Sequence, residues 1–346
     1  MAKTSFTTSD ALTKKHWEEK LYRDAVKESF FSRFMGDSSE SLVHVKSQLT
    51  KDKGDKITFG IRYRAIGTGV TSGTTLEGNE ESLRTSSDSV TLEQHRHAIR
   101  DDGAMSRQRA EFDIREESKN ALKDWGSEKT DQLAFDAILS SPTKIAYRDG
   151  TAAGVFATSA SAATAKAALS ATYKMNAAFL SALKTGAKTG FNRTQVPLRP
   201  LKIKGKEYFV LLVHPDVIYD LKQDSILQNA WMQAQERGED NPLFRDADVM
   251  WDGVIVYGHE NIPIAADGGG ASVKWSKGVL MGKQSLIWAW GQRGKVVQET
   301  FDYENEEGYA WSIIAATKKP VFTEPGGSAA DYGSIGVYTS RTGISA

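Results

Sequence analysis

The sequence predicts an α+β fold, and three observations predict it. Segments with two-residue apolar alternation stand beside segments with helical periodicity. The two kinds do not alternate regularly along the chain. The 346 residues are enough for two or three domains with a real core. Lys plus Arg and Asp plus Glu each number 44, so the net charge is zero. That balance leaves no basic excess for a nucleic-acid binder working by counterion release. The absence of cysteine excludes disulfide scaffolds, thiol catalysis and Cys-ligated zinc, and suits a reducing cytoplasm. The N-terminus, MAKTSFTTSDALTKKHWEEK, lacks a signal-peptide core, and no apolar run approaches the roughly 18 residues of a membrane span. A soluble intracellular product without a membrane partner is expected.

Residues 9 to 35 read as an amphipathic helix capped by Ser9 or Asp10 and closed at Gly36, with Trp17, Leu21, Phe30 and Phe34 near one face. It precedes the first strand and reads as a tether. In KGDKITFGIRYRAI, Ile57, Phe59, Ile61, Tyr63 and Ala65 alternate with more polar residues, the pattern of a half-buried strand. A second extended stretch, VTLEQHRHAIR, starts at Val90. Between them, residues 67 to 88 contain four glycines and few apolar residues. A loop of that length without structure of its own is usually functional or disordered, and it reads as a long hairpin arm.

From Ser106 to Ser140 the pattern is helical and stops before Pro142. One continuous helix there would be a rod on the order of 50 Å. Between Ser106 and Gln132 its apolar residues are Ala110, Phe112, Ile114, Ala121, Leu122 and Trp125, so it is expected to bridge elements or lie exposed, with a bend at Gly126. Residues 149 to 165 have linker composition, and an Ala-rich helix follows from Ala162 to Leu183, closed by Gly186. LKIKGKEYFVLLV reads as a hairpin whose buried strand is Tyr208 to Val213; His214-Pro215 ends it and a helix begins at Asp216. Short strands, VIVYG and VLMGKQSLIWAW, come next, and a Gly/Ser tail ends the chain.

The carboxylates of FDYENEEGYAWSII pose the main chemical question. Asp302, Glu304, Glu306 and Glu307 do not match a calcium loop, whose sixth position must be glycine. A glycosidase pair needs two acids facing across a cleft, whereas four on one turn point mostly into water. With Glu304 to Gly308 as the turn, Tyr303 opposes Tyr309 and Phe301 opposes Trp311, giving aromatic cross-strand pairs. The structural reading is therefore preferred. His95 and His97 share a strand face but lack an evident third metal ligand. GVLMGKQ has three residues between its glycines and Gln284 where a phosphate loop needs Ser or Thr. Trp231, Trp251, Trp275, Trp288 and Trp290 offer sugar-stacking rings, with core packing the commoner fate. No catalytic, metal or cofactor site is assigned. An N-terminal tether, a polar-tipped hairpin and a long exposed helix gain little in a lone globule, and point to a protein that assembles.

GDKITFGIR after an amphipathic N-terminal helix resembles the start of the projecting loop in tailed-bacteriophage major capsid proteins. YFVLLVHPDVIYDLKQDS, NPLFRDADVMWDGVIVYGHENIPI, GVLMGKQSLIWAWG and EEGYAWSIIAATKKPVF follow in family order, so the resemblance to the short-tailed phage capsid family covers nearly the whole chain. It implies the Hong Kong 97-like fold: residues 1–50 as N-arm, 51–100 as extended loop, 101–141 as peripheral domain with the spine helix. Residues 142–295 would be the axial domain, and 296–346 the return strands and tail. It implies a major capsid protein that self-assembles into an icosahedral shell in the host cytoplasm and resides in the virion. Inter-subunit contacts are expected from Trp17 and Tyr22 of the arm and from Thr68, Thr74, Glu77, Glu80, Glu81 and Arg84 of the loop. Implied partners are other copies in hexameric and pentameric capsomers, scaffolding, portal and decoration proteins, and double-stranded DNA contacted non-specifically. The arm starts within about ten residues, so a fused scaffolding segment is not expected. The alternatives are a carboxylate-dependent hydrolase using Asp302 to Glu307 and a surface-layer or adhesin-type module.

Overall fold

A computed structural model describes residues 29–47, 54–65, 67–151, 154–157, 161–193, 197–203, 205–234, 249–269, 272–323 and 328–343. After a 3-10 turn at Phe31–Phe34 come β1 (Met35–Gly36), β2 (Val43–Lys46), β3 (Lys56–Arg62), β4 (Thr85–Thr91) and β5 (Glu93–Arg100). Then follow α1 (Ala104–Arg109), α2 (Ile114–Ile138), β6 (Ile145–Tyr147), β7 (Val155–Ala157), α3 (Ala162–Ala167) and α4 (Ala177–Arg193). Next are β8 (Leu201–Ile203), β9 (Lys206–Val213), α5 (Pro215–Lys222), α6 (Ser225–Ala234), β10 (Val249–Trp251) and β11 (Val254–Gly258). The chain continues with β12 (Ile264–Gly268), β13 (Val273–Met281), β14 (Leu286–Phe301) and β15 (Glu306–Lys318). Last come β16 (Val321–Thr323), β17 (Ala329–Asp331) and β18 (Ser334–Ser340). The mixture is α+β, as expected.

Two compact units emerge. One contains Gln94–Thr130 and Arg293–Ile313; the other contains Phe31–Glu93, Asp131–Gln292 and the residues from Ile314 on. The second unit is organised by a nine-stranded sheet, ordered β10-β11-β9-β13-β18-β6-β7, with β12 beside β13 and β8 beside β9. Alternation along β9 explains its two covered faces. Phe209, Leu211 and Val213 pack with Phe179, Leu180 and Leu183 of α4 and Val217 and Leu221 of α5. A second cluster sets Ala165 of α3 against Ile145, Trp275 and Tyr338. The first unit is built from β5, the outer parts of β14 and β15, α1 and the first half of α2.

Several sequence expectations need correction. The N-terminal helix falls outside the described residues up to 28, and from Phe31 the chain is a 3-10 turn followed by β1, not an α-helix ending at Gly36. Tertiary anchoring decides this: Phe31 is fully buried edge-on to Phe135, 4.9 Å away, and its N–H donates to Asp131 (3.2 Å). The long helix is two helices. α1 ends as Ala110 turns extended, and the Asp113 carboxylate accepts the Arg115 N–H (2.9 Å) at the start of α2. The 25 residues of α2 make a rod of about 37 Å that runs unbroken through Gly126. It is also less exposed than expected, with Ser118, Leu122, Gly126, Ala134, Phe135 and Ile138 forming a buried stripe.

The Ala-rich helix is likewise split. Ser161 caps α3 by accepting the Thr164 N–H (3.2 Å), and Asn176 starts α4 by accepting the Phe179 N–H (2.9 Å). Gly186 lies inside α4. The largest correction concerns the expected Gly/Ser tail, because β18 is buried along its whole length between β13 and β6. Its small residues serve close approach: a Cβ on Gly336 would lie 2.6 Å from Pro142, and one on Gly333 2.6 Å from the Ser285 backbone.

Candidate assembly elements: a projecting hairpin and an acidic turn

β3 and β4 pair antiparallel from Lys56↔Thr91 to Arg62↔Thr85, so the loop both begins and ends earlier than the expected residues 67 to 88. Thr85–Asp88 are strand because side chains pin them. Asp88 accepts from Lys318 and from the Val321 N–H (3.1 Å), and Ser86 Oγ accepts the Thr323 N–H (3.3 Å). Below, Ile57 and Val90 are buried with Ala289, and Phe59 meets Phe322 edge-on at 6.0 Å. A cavity of about 120 Å³ beside this base is lined by Phe59, Ile61, Ile287, Phe322, Tyr332 and His44, among others. Burial holds the His44 pKa below its ordinary value, against the opposing hydrogen bond to the Ser38 carbonyl.

Among the described residues of the joining segment Tyr63–Arg84 none is buried, yet the segment is internally bonded. Glu81 accepts the Gly67 N–H (2.7 Å) and pairs with Arg84 (2.8 Å). Glu80 accepts the Gly78 N–H (2.8 Å), and Asn79 donates to the Thr75 carbonyl (2.9 Å). Thr68, Thr74 and Glu77 are exposed in the same segment, so the structure gathers all six expected loop residues on one arm. Leu76 and Leu83, 63% and 71% exposed, are additions that polarity-based reading passed over. Trp17 and Tyr22 lie outside the described residues.

The second element is the hairpin of β14 and β15. Its turn is Asp302–Asn305, not Glu304 to Gly308. Asp302, Tyr303 and Glu304 all have left-handed φ (49°, 50° and 69°), and the Asp302 carbonyl accepts the Asn305 N–H (3.0 Å). The expected pairing of Tyr303 with Tyr309 fails, since Tyr303 is fully exposed at the tip while Tyr309 is buried. Phe301 lies over Gly308, where a Cβ would come within 2.8 Å of the ring, and so does not oppose Trp311. Trp311 sits between two glycines, with Cβ positions on Gly126 and Gly294 at 2.6 and 3.0 Å from its ring. Trp125 meets it edge-on at 5.5 Å and carries His97 at 4.8 Å.

The acids do not all face water. Glu306 pairs with Arg100, and Glu307 is buried against Arg115, with Gln298 (3.2 Å) and the Tyr309 hydroxyl (2.6 Å) donating to it. Asp101 accepts the Glu307 N–H (2.6 Å) and pairs with Arg107. Burial opposes ionisation of Asp101, but these donors outweigh it and hold the pKa below the usual carboxylate range. Burial, reinforced by the bond to Glu307, pushes Tyr309 up to about 12. Sequence reasoning missed this network, although two-residue periodicity placed Glu307 on the face of Tyr309, Trp311 and Ile313. Arginine neutralises Asp101, Glu306 and Glu307, while Asp302 accepts from the Asn305 side chain (3.2 Å), an arrangement that stabilises the hairpin.

Among the described residues no group of three His, Asp or Glu is placed to hold a metal. Gly278 and Gly282 allow backbone approach, with Cβ positions 2.7 Å from the Leu212 carbonyl and 2.5 Å from that of Arg199. Trp275 and Trp288 are buried in the core. Among the described residues no helix is long and apolar enough to cross a membrane.

Known proteins agree with this geometry. The chain is 27% identical to the major capsid protein of Pseudomonas phage KPP25 across an alignment of 374 positions covering 97% of each chain. It superposes on the capsid of Ralstonia phage GP4 with a TM-score of 0.78, 25% identity and complete coverage of both chains. The capsid asymmetric unit of cyanophage Pam1 matches with a TM-score of 0.79 and 22% identity over 99% of this chain and 100% of that one. A family model described as phage capsid protein matches residues 5–342. The chain therefore belongs to the phage capsid protein family, as a major capsid subunit that self-associates into capsomers and forms part of the virion.

Proposed function

We propose that this capsid subunit joins its neighbours by interlocking. The N-terminal arm, through Trp17 and Tyr22, and the β3–β4 hairpin, through Thr68, Thr74, Glu77, Glu80, Glu81 and Arg84, lie across adjacent copies. The single observation that supports this reading is the segment Tyr63–Arg84, internally hydrogen-bonded while its described residues other than Tyr63, Val70 and Arg84 are exposed. Ordering a loop costs roughly 1–2 kcal/mol per residue in backbone entropy, and a neighbour's surface offsets that cost where the subunit's own core does not. The peripheral and axial division expected from the family resemblance belongs to the proposal, except that the pairing of β18 with β13 and β6 supports counting this strand with the axial part and not with the peripheral return strands. The role is structural, without catalysis. Hexameric and pentameric capsomers, scaffolding, portal and decoration proteins, and non-specific contact with packaged double-stranded DNA complete the proposal.

The test replaces Gly67 to Leu83 by an Asn-Gly turn and follows thermal unfolding and particle formation together. Loop-closure cost varies only with the logarithm of length, so the melting temperature is expected to stay near that of the parent while closed shells disappear. Normal shells from the shortened chain would refute the interlock. An unfolded subunit would place the loop in the core.

A further inference from the structure

The outward side of α5 and α6 is nearly without charge. α6, SILQNAWMQA, contains no charged residue in a chain of which 25% is charged. Leu227 is fully buried and ties α6 to the core that contains Leu221 of α5. Ser225, Gln228, Asn229 and Met232, at helical spacing i, i+3, i+4 and i+7, are exposed, with Ile226 beside them. On α5 the acids turn inward: Asp216 pairs with Arg341, and Asp220 pairs with Lys174 (3.0 Å) and accepts the Thr342 N–H (2.8 Å). Tyr219 remains outside at 47% exposure, with Ile226 at 50% and Met232 at 62%.

An ordinary solvated helix face carries Lys, Glu or Arg, whereas interface cores lose charge and gain Tyr, Met and other large apolar side chains. The face is also held in place. Asp224, between the helices, accepts the Ile226 N–H (3.2 Å) and the Ala177 N–H at the start of α4 (2.7 Å). A rigid surface loses less entropy on docking.

We infer that Tyr219, Ile226, Asn229 and Met232 form a contact between copies of this chain. The occupant is a second copy for two reasons. A capsid subunit is surrounded by its own kind, and a face whose one exposed charge on these two helices is Lys222 has little means of attracting a polyanion such as DNA. The contact rests on membership in the capsid family but not on the hairpin interlock, since none of its residues belongs to the hairpin.

Oxidative footprinting tests it on the assembled protein. Met232 in intact shells is expected to oxidise about tenfold more slowly than in dissociated subunits, as burial in an interface requires. Equal rates would overturn the inference. The double variant Ile226→Glu, Met232→Glu changes only exposed positions. It is expected to melt with the parent and remain as free subunits; normal shells from it would also overturn the inference. The shortened-hairpin variant separates the two readings. Shells that still form from it and still protect Met232 would sink the interlock and leave this contact standing, while protection lost with the hairpin intact would do the reverse.

Discussion

The β14–β15 hairpin and the β3–β4 hairpin solve the same topological problem with opposite endings. The first closes through the tight turn Asp302–Asn305, and the charges just beyond it fold back onto their own unit, Glu306 onto Arg100 and Glu307 onto Arg115. The second opens into Tyr63–Arg84, where Glu80 accepts from Gly78 and Glu81 accepts from Gly67 and pairs with Arg84 of the same segment. A carboxylate-rich turn can therefore be a finished piece of one subunit, and a Gly/Thr-rich loop an unfinished one. What distinguishes them is whether buried partners exist within the same chain. On the proposed interlock, the first kind keeps a subunit's shape and the second has its order completed by assembly.

Trp311→Ala should have the largest effect on this contrast. Truncating a buried aromatic is expected to cost about 3–4 kcal/mol, because the cleft between Gly126 and Gly294 would be left empty. Urea denaturation measures it, and an unchanged midpoint would mean that the first hairpin is no more self-contained than the second. Gly126→Ala sharpens the point. Helix propensity alone favours Ala by about 1 kcal/mol, yet the added Cβ meets the Trp311 ring, so net destabilisation is expected.

Next in size is Glu307→Gln, which keeps the shape of the side chain and removes its charge from Arg115. A loss of about 2 kcal/mol is expected, in the range of hydrogen bonds to charged groups. Stability equal to that of the parent would show that the network is decorative.

Tyr309 gives a pH signature for the same region. Its folded pKa is raised from 10 to about 12, so the neutral phenol is favoured by folding. Its contribution is fully present below pH 10 and is lost as pH rises through 12. The parent should therefore lose stability across that window more steeply than Tyr309→Phe, in denaturant titrations at several pH values.

The smallest effect on stability should come from Glu81→Ala in the open hairpin. An exposed pair contributes little, so the subunit should change by less than about 0.5 kcal/mol while the yield of shells falls. A subunit destabilised by several kcal/mol would make the two hairpins alike after all.

The strand of Ile57, Phe59 and Ile61, the hairpin into Val213 and the helix after His214 were all legible from the sequence, because period and punctuation are local properties. The capsid assignment was legible too, through five motifs in order. Boundaries and partners were not. TSSD at Thr85–Asp88 carries a loop composition and becomes strand because Lys318 and the Val321 N–H hold Asp88. The same limit applies to the candidate site: polarity marked Glu77, Glu80 and Glu81 but hid Leu76 and Leu83.

The sequence by itself determined the elements whose signal lies within a few residues. Alternation specified β3, a continuous apolar run specified β9, a His-Pro pair specified the start of α5, and charge balance argued against binding dominated by polyanions. Only the tertiary structure decided that SIGVYTS is a central buried strand, that Glu307 faces inward, and that Gly126, Gly294 and Gly336 are places of contact rather than breaks. The physical reason is common to all of these. A small or polar residue gives no burial signal of its own, and its place is fixed by what another part of the chain brings against it: a tryptophan ring, a guanidinium or a neighbouring strand.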